Sequence, residues 1–261
     1  MRITVITGAT SGIGLAMAEK FSREGDRVYA LARREAELPE GVIFIPCDVT
    51  DEGRVKEAVL EIVSREGKID LLINNAGFGI SGAVEFTELE DAKRQFDVNF
   101  FGMVNMTKAV LPVMRTAGGG RIVNMSSVAA VTPIPYQTYY SASKAAINCY
   151  TMALRNEVRG ANIKVSALMP GDVKTGFTAA RKKSLVGADV YPALEKSVKT
   201  MEHDEQNGMA PSQLAARAYY ISTRKNPKPL YSCGLSYRLF CVLAKVLPNR
   251  FVNWILSKLY G

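Results

Sequence analysis

The sequence contains a single histidine, His203, among its 261 residues. Hydrolysis by a Ser-His-Asp triad needs a histidine held by an acid, and histidine-rich zinc sites need several. His203 lies in the charged run 202–205, which is typical of a solvated loop. These two kinds of site are therefore disfavoured, and any acid–base chemistry must be carried by another residue type.

Cysteines and long apolar runs are also scarce. The cysteines form no CxxC pair and have no histidine partner, as expected of reduced, mostly buried thiols; they are Cys47, Cys149, Cys233 and Cys241. No apolar stretch approaches the roughly 18 residues of a membrane span, and no signal-peptide pattern precedes the first strand-like run. We therefore expect a cytoplasmic protein, and we expect no metal site.

Acidic residues are absent after Glu205, although lysines and arginines continue to the end. The formal net charge is +8. The basic residues beyond Glu205 account for all of it; they are Arg217, Arg224, Lys225, Lys228, Arg238, Lys245, Arg250 and Lys258. The positive charge therefore belongs to the C-terminal part of the chain.

Apolar, β-branched runs alternate with helical patterns, which predicts an α/β fold: a three-layer, doubly wound parallel sheet with helices on both faces. The predicted strands are Ile3–Thr7, Arg27–Ala32, Val42–Pro46, Ile69–Asn74, Arg121–Met125, Ile163–Met169 and Pro229–Ser232. The predicted helices are Ile13–Glu24, Asp51–Glu66, Asp91–Arg115, Tyr139–Arg159 and Pro211–Thr223. Residues 176–208 are mixed and charged, as in a mobile segment on the substrate side. With no repeat or linker, residues 1–261 are predicted to form one domain.

The turn between the first predicted strand and helix reads Thr7-Gly-Ala-Thr-Ser-Gly-Ile-Gly14. Its spacing is G-x3-G-x-G, not the G-x-G-x-x-G of the generic dinucleotide fingerprint. Glycines allow a tight turn and a close approach of a pyrophosphate, whose charge is met by the helix amides. A plain glycine-rich turn is the alternative. The position of the turn, after the first strand, favours a nucleotide site in a Rossmann-type sheet.

The acidic residue that binds the adenosine ribose of NAD, expected about 20 residues further on, is absent. The second predicted strand instead ends in Ala30-Leu-Ala-Arg-Arg34. The guanidinium group of Arg33, alone or with Arg34, suits a 2′-phosphate because it forms bidentate hydrogen bonds. A solvated basic turn is the alternative. We therefore expect NADP(H) rather than NAD(H).

Tyr140 and Lys144 lie at i and i+4, on one face of a predicted helix. A tyrosine with a pKa near 10 is a poor base at neutral pH, but an adjacent cation and an oxidised nicotinamide would lower that pKa. Tyr136 and Tyr139 are followed, four residues on, by Tyr140 and Ser143, so only Tyr140 has the cation. A Tyr/Lys pair at this spacing is usually just a surface pair, so the pair alone does not establish a catalytic role.

Several motifs occur together and in order. They are Thr7-Gly8-x3-Gly12-x-Gly14, Asn74-Asn-Ala-Gly77, Asn99, Ser127, Tyr140-x3-Lys144 and Pro170-Gly171-x3-Thr175. Over residues 1–225 the chain resembles the short-chain dehydrogenase/reductase family. The resemblance implies an NADP(H)-dependent oxidoreductase that moves a hydride between the nicotinamide and a carbonyl or alcohol.

The same resemblance implies roles for individual residues. Tyr140 is the proton donor in reduction and the acceptor in oxidation, and Lys144 lowers its pKa and holds the nicotinamide ribose. Ser127 hydrogen-bonds the substrate oxygen, whereas Ser126 lies one place out of register. Asn99 anchors the water that relays protons to Lys144.

The cofactor contacts implied by the resemblance extend along the chain. They comprise Gly8, Ser11, Gly12, Ile13 and Gly14 at the glycine turn, Arg33, Asp48 and Val49 at the adenine, Asn75, Ala76 and Gly77 on the adenosine side, Tyr140 and Lys144, and Pro170, Gly171, Val173 and Thr175 at the nicotinamide. Turn chemistry is the structural alternative for residues 74–77 and 170–171, and both roles can hold together.

Two amphipathic helices are predicted in the tail, residues 235–261. Residues 235–247 carry a broad apolar face opposite Arg238, Cys241 and Lys245, and the pattern recurs after Pro248. Two alternatives stay open: packing on the domain or on a second subunit, or a lid over an apolar substrate that also touches a membrane surface. Residues 227–234 and the apolar tail are similar to family members that act on steroids, retinoids or acyl lipids.

Three functions are consistent with these features of the sequence. The first is a reductase or dehydrogenase of a small hydrophobic carbonyl or alcohol, of steroid or long-chain lipid type. The second is a 3-oxoacyl thioester reductase, and the third is a non-catalytic NADP-sensing regulator, although such regulators usually lack the tyrosine or the lysine. Nucleic-acid binding is disfavoured because the basic residues of the tail alternate with an apolar face. Since relatives are often dimers or tetramers, we expect a homo-oligomer.

Overall fold

A computed structural model of the chain describes residues 1–260. The strands are β1 Ile3–Thr7, β2 Arg27–Ala32, β3 Val42–Pro46, β4 Leu71–Asn74, β5 Ile80–Ser81, β6 Gly120–Met125, β7 Ile163–Met169, β8 Lys182–Lys183 and β9 Leu230–Ser232. The α-helices are α1 Gly12–Arg23, α2 Glu52–Glu66, α3 Leu89–Phe96, α4 Gly102–Thr116, α5 Thr138–Glu157, α6 Phe177–Ala180, α7 Leu194–Gln206, α8 Pro211–Thr223, α9 Leu235–Val246 and α10 Asn249–Tyr260.

Seven strands form one parallel sheet in the order β3-β2-β1-β4-β6-β7-β9. The chain builds outward from β1 to β3, returns to β4 on the other side of β1, and then builds in the opposite direction. The predicted doubly wound sheet is confirmed. Ligands of such sheets bind outside the carboxyl ends of the strands where the order reverses, which here is between β1 and β4.

Helices cover both faces of the sheet. On one face, α2, α4 and α5 bury Val55, Met106 and Leu154 against the strands. On the other face, α1 and α8 bury Phe21 and Leu214. Every residue of β1 is buried. Because a central parallel strand is covered on both faces, β1 consists of apolar residues and two threonines, with no charged side chain.

The helix predicted over Asp91–Arg115 is interrupted. A π-helical turn, Asp97–Phe101, separates α3 from α4. A Cβ atom on Gly102 would lie 2.5 Å from Val49 Cγ2, so the start of α4 packs tightly against the loop that follows β3. Such turns often occur at functional sites, and apolar periodicity does not reveal them. This one carries Asn99.

Residues 176–208, expected as a mobile segment, contain the helices α6 and α7. The inner face of α7 buries Leu194, Val198 and Met201. The sequence pattern of this helix is diluted by charged residues on its outer face, and for that reason it was not predicted.

The two tail helices were predicted, but the apolar face of α9 points away from the domain. Its apolar face is exposed; the exposed side chains are Leu235, Leu239, Val242 and Val246. Cys241, on the opposite face, is buried against Val128 and Met169. Packing on the domain is therefore wrong for the apolar face of α9, whereas α10 buries Val252 and Leu256. Within residues 1–260, no helix is both long enough and apolar enough to cross a bilayer.

Candidate active site

A cavity of about 990 Å³ lies at the carboxyl edge of the sheet, where β1 and β4 end. Its wall includes nearly all of the predicted site residues: Gly8, Ser11, Gly12, Ile13, Arg33, Asp48, Val49, Asn75, Ala76, Gly77, Ser127, Tyr140, Lys144, Pro170, Gly171, Val173 and Thr175. The exceptions are Gly14 and Asn99, which lie behind the wall. Residues from seven separate segments thus converge on one space.

The glycine turn shapes one end of the cavity. Gly8 and Gly12 have positive φ angles of 63° and 53°, a conformation that strongly favours glycine. A Cβ atom on Gly14 would overlap the carbonyl oxygen of Gly8 and lie 2.6 Å from Asn75 Nδ2. Gly14 therefore acts by letting α1 pack against the end of β1. The side chain of Ser11 does not cap α1, so the first amides of this helix keep their donors for an anion.

The Asn75 segment holds β4 to β1. Asn75 Nδ2 donates to the carbonyl oxygens of Thr7 and Gly8 at 3.0 and 3.1 Å. The amides of Asn75 and Ala76 both donate to Thr7 Oγ1, at 2.9 and 3.0 Å. These hydrogen bonds give residues 74–77 the structural role that turn chemistry suggested. The same bonds fix residues of the cavity wall.

The far end of the cavity is basic. Arg33 and Arg34 line it, and so does Arg94 on α3. Burial raises the pKa of Asp48, but hydrogen bonds from Thr50 and the charges of Arg33 and Arg94 lower it overall. Arg94 was not predicted from the sequence, because nothing local in the sequence indicates that α3 brings it beside the end of β2.

Tyr140 and Lys144 share one face of α5, as predicted. Lys144 Nζ lies 5.6 Å from the centre of the Tyr140 ring and donates to the carbonyl oxygen of Met125 at 2.8 Å. Ser126 Oγ donates to the carbonyl oxygen of Lys144 at 3.0 Å, so this hydroxyl is engaged in packing α5 on β6. Ser127 Oγ accepts from Ala129 N at 3.1 Å and is the hydroxyl beside Tyr140.

Burial dominates the protonation of this pair. It raises the pKa of Tyr140 to about 12, against a lowering by the Ser127 hydrogen bond and by Arg181, while Glu205 and Asp172 raise it further. Burial also lowers the pKa of Lys144 to about 8. At neutral pH the phenol is therefore protonated, which is the form that donates a proton.

Asn99 lies directly behind this pair. Its Oδ1 accepts from Phe78 N at 2.9 Å, and its Nδ2 donates to the carbonyl oxygen of Phe78 and to Ser143 Oγ. A Cβ atom on Gly77 would lie 3.0 Å from Asn99 Oδ1 and 3.7 Å from Lys144 Nζ. Asn99 and Lys144 thus both lie next to Gly77, a residue of the wall that has no side chain. The role of Asn99 in a proton relay stays a prediction.

Charged residues that the sequence did not single out lie on the other side of Tyr140. Glu205, at the end of α7, forms an ion pair with Arg181 and accepts from Thr178 Oγ1 at 2.6 Å. Asp172 Oδ2 accepts from Tyr237 Oη at 2.5 Å, which ties α9 to the loop after β7. Glu205 and Asp172 both line the cavity. The expectation that residues 176–208 reach the substrate side therefore holds for α7.

The tail helices close the same cavity with mainly apolar side chains. These are Phe240 on α9 and Leu256, Leu259 and Tyr260 on α10. The Phe177 ring, on α6, lies 5.9 Å from the ring of Tyr140. The cavity therefore runs from a glycine-rich and basic end, past Tyr140, to an apolar end.

This arrangement has a sequence counterpart among known proteins, since the short chain dehydrogenase family matches residues 2–185. The chain belongs to the short chain dehydrogenase family. A 3-ketodihydrosphingosine reductase of Bacteroides thetaiotaomicron is 43% identical over the whole chain and 98% of its own length. A 3-oxoacyl-[acyl-carrier-protein] reductase of Thermotoga maritima is 37% identical over 68% of the chain and 76% of its own length.

Solved structures of the family agree with the fold. A short-chain dehydrogenase from Streptomyces avermitilis has a TM-score of 0.85 at 29% identity, with 98% and 97% of the two chains covered. A serine dehydrogenase complexed with NADP+ has a TM-score of 0.77 at 27% identity and 88% and 94% coverage. A 3-ketoacyl-(acyl-carrier-protein) reductase from Brucella melitensis complexed with NADH has a TM-score of 0.75 at 26% identity and 88% and 96% coverage. Membership of the family makes the chain a nicotinamide-dependent oxidoreductase and leaves the choice of nicotinamide cofactor open.

Proposed function

We propose that this family member is an NADPH-dependent reductase of long-chain hydrophobic ketones, with 3-ketodihydrosphingosine as the first substrate to test and Tyr140 as the acid. The observation that carries the proposal is the layout of one cavity: a glycine-rich, basic end for a dinucleotide, Tyr140 and Ser127 in the middle, and apolar tail residues at the other end. The name of the 43% identical relative supports the same substrate type.

The residues present fit a bound dinucleotide. Gly14 permits the close approach of α1 to β1, and Lys144 uses one of its three N–H donors within residues 1–260, on Met125 O. The remaining donors of Lys144 suit the hydroxyls of the nicotinamide ribose. When bound, the reduced nicotinamide supplies the hydride.

The protein's own residues supply orientation and the proton. The hydroxyls of Ser127 and Tyr140 donate to the substrate carbonyl oxygen, which polarises the carbonyl. As the alcohol forms, Tyr140 transfers its proton to that oxygen. The cation of Lys144 then stabilises the phenolate, and Asn99, beside Lys144, is where a proton relay would begin. The chemistry needs no metal.

We infer NADP(H) as the cofactor because three arginines line the cavity beyond β2, where NAD-binding relatives of this fold place an acidic residue. These are Arg33, Arg34 and Arg94. Guanidinium groups bind a phosphate through paired, charge-assisted hydrogen bonds. The predicted preference therefore has a geometric basis at this end of the cavity.

The deciding experiment follows NADPH absorbance with 3-ketodihydrosphingosine, a sterol ketone and an acetoacetyl thioester. We expect turnover of the long-chain ketone. Tyr140→Phe should abolish turnover, because it removes the donated proton, and should leave the affinity for NADPH nearly unchanged. Turnover by Tyr140→Phe at the wild-type rate would remove the catalytic assignment.

The 3-oxoacyl thioester reductase is the alternative that the 37% identical relative favours. Faster turnover of the thioester in the same panel would select it. A non-catalytic NADP-sensing regulator is the alternative from another class, and binding of NADPH without turnover of any ketone would select that function. The four residues Asn99, Ser127, Tyr140 and Lys144 argue against it.

We further infer that the exposed apolar face of the tail touches a lipid surface. On α9 it carries Leu239, Val242 and Val246 in exposed positions; Trp254 on α10 and the basic residues Arg238 and Lys245 are exposed as well. Basic and aromatic amphipathic helices favour anionic membrane interfaces. We expect the full chain to co-sediment with vesicles that contain anionic lipid, and less so as salt rises. Binding to neutral and anionic vesicles alike would remove the electrostatic part.

Self-association is a separate inference. Phe101 is exposed beside Phe100, whose ring lies 5.9 Å from that of Tyr150, and Met152 is exposed on the same helix as Tyr150. An exposed apolar surface of this kind fits a second copy of the chain. Light scattering of the protein as it elutes from a size-exclusion column should give at least the mass of a dimer, and a monomer mass would contradict the inference.

One domain over residues 1–261 and a cytoplasmic location stay predictions.

A further inference from the structure

Asp172 is a carboxylate of the cavity wall that forms no ion pair within residues 1–260, although the more distant charge of Arg181 reaches it. Its Oδ2 accepts from Tyr237 Oη, whereas Oδ1 accepts no hydrogen bond from residues 1–260 and is not fully buried. Within the same residues, no lysine, arginine or histidine nitrogen lies within 4.0 Å of it. The residue is half-buried. A carboxylate in such a place is stabilised by a cation that reaches it through the cavity.

The other carboxylate near Tyr140 is already compensated. Glu205 pairs with Arg181, whose side chain is 1% exposed, and also accepts from Thr178 Oγ1. At the rim of the cavity, Lys182 pairs with Asp91 at 2.5 Å. Of these two carboxylates near Tyr140, Asp172 is therefore the one that has no ion-pair partner.

Asp172 also lines the same cavity as Tyr140. It follows directly on the segment Pro170–Gly171, and after burial its charge and that of Glu205 are the causes that raise the pKa of Tyr140. These charges oppose the transfer of the proton from Tyr140 to the substrate. A positive charge on the substrate, next to the carbonyl, would offset them.

The apolar part of the cavity lies beyond this point. Phe240, Leu256 and Leu259 line it, so the wall is anionic beside Tyr140 and apolar toward the tail. A ligand that matches both regions has a cationic group beside its carbonyl and a long hydrocarbon chain. A simple 3-oxoacyl thioester carries no such cation.

We propose that Asp172 binds an ammonium group on the carbon next to the reacting carbonyl, and that the substrate class is the long-chain α-amino ketones. This inference rests on the proposed ketone reductase function and specifies its substrate. 3-Ketodihydrosphingosine belongs to this class. Asp172 is then a specificity-determining residue that acts through charge.

The test compares 3-ketodihydrosphingosine, at a pH where its amine is protonated, with the same ketone carrying hydrogen in place of the ammonium group. We expect the wild-type kcat/KM to be at least about tenfold higher for the amino ketone. Asp172→Asn keeps the volume and an acceptor for Tyr237 but removes the charge. It should bring the two values together by raising KM for the amino ketone alone.

Two further variants serve as controls. Asp204→Asn removes a nearby carboxylate whose charge reaches Asp172 but which is not part of the cavity wall, and it should keep the preference. Asp172→Glu keeps the charge and should retain most of the preference. Equal wild-type kcat/KM for the two ketones overturns the inference, whether or not the variants fold. An equal loss for both ketones in Asp172→Asn also overturns it. If the wild type reduces neither ketone, the proposed function itself fails.

Discussion

Leu239 and Val246 lie on the exposed apolar face of α9, and replacing both with serine tests the contact with a lipid surface. Their exposed fractions are 61% and 77%. Full burial of a Leu or Val side chain is worth about 1.5–3 kcal/mol, so the exposed parts of the two together are worth about 2–4 kcal/mol on transfer to an apolar phase. The double variant should therefore partition into vesicles about 30- to 1000-fold more weakly.

The assay is co-sedimentation with anionic vesicles, combined with thermal or urea unfolding. Because both side chains are exposed, the free energy of unfolding should change by less than about 1 kcal/mol. Cys241→Ser, on the opposite face of the same helix, is the matched control. It places a hydroxyl among Val128 and Met169, and should lower stability by about 1–3 kcal/mol while leaving vesicle binding intact. Unchanged partition of the double variant would refute the reasoning.

The remaining predictions concern the cofactor and the proton. Arg33→Ala should weaken the binding of NADPH by about 10- to 150-fold, because it removes a charge-assisted hydrogen bond, and should change the affinity for NADH less than about threefold. Equal effects on the two affinities, measured by fluorescence titration, would contradict the NADP assignment. Gly14→Ala should weaken the binding of NADPH at least about tenfold, because the Cβ atom of the alanine would overlap the carbonyl oxygen of Gly8. Gly160 has open space around it, so Gly160→Ala should bind NADPH with normal affinity. Burial raises the pKa of Tyr140 to about 12, so ketone reduction, which uses the phenol, should stay level from about pH 6 to about pH 8. Alcohol oxidation, which uses the phenolate, should rise toward about tenfold per pH unit over that range, and a fall would contradict the role of Tyr140.

Much of the fold follows from local patterns in the sequence. The strand β1 and the helix α1 were predicted because a buried parallel strand is continuously apolar and a glycine turn follows it. The order of strands could be predicted because crossovers between parallel strands are right-handed and doubly wound sheets are few. The split between α3 and α4 could not, since the residue that a π-turn adds leaves no periodic signal.

The candidate site divides in the same way. Tyr140 and Lys144 are four residues apart on one helix, so helix geometry alone places them together. Ser127 and Asn99 came from motifs whose meaning depends on resemblance to other proteins. Arg94 carried no signal, because its position beside Arg33 depends on how α3 packs against the ends of the strands.

By itself, the sequence determined the doubly wound sheet, the nucleotide turn after β1 and the pairing of Tyr140 with Lys144, because each depends on residues close together in the chain. Only the tertiary structure decided which face of α9 is exposed and that Asp172 lines the cavity with Tyr140 and has no ion-pair partner. Both depend on the packing of α7, α9 and α10 over the cavity. Contacts between segments distant in sequence are set by the shapes of whole elements, and neither periodicity nor spacing records them.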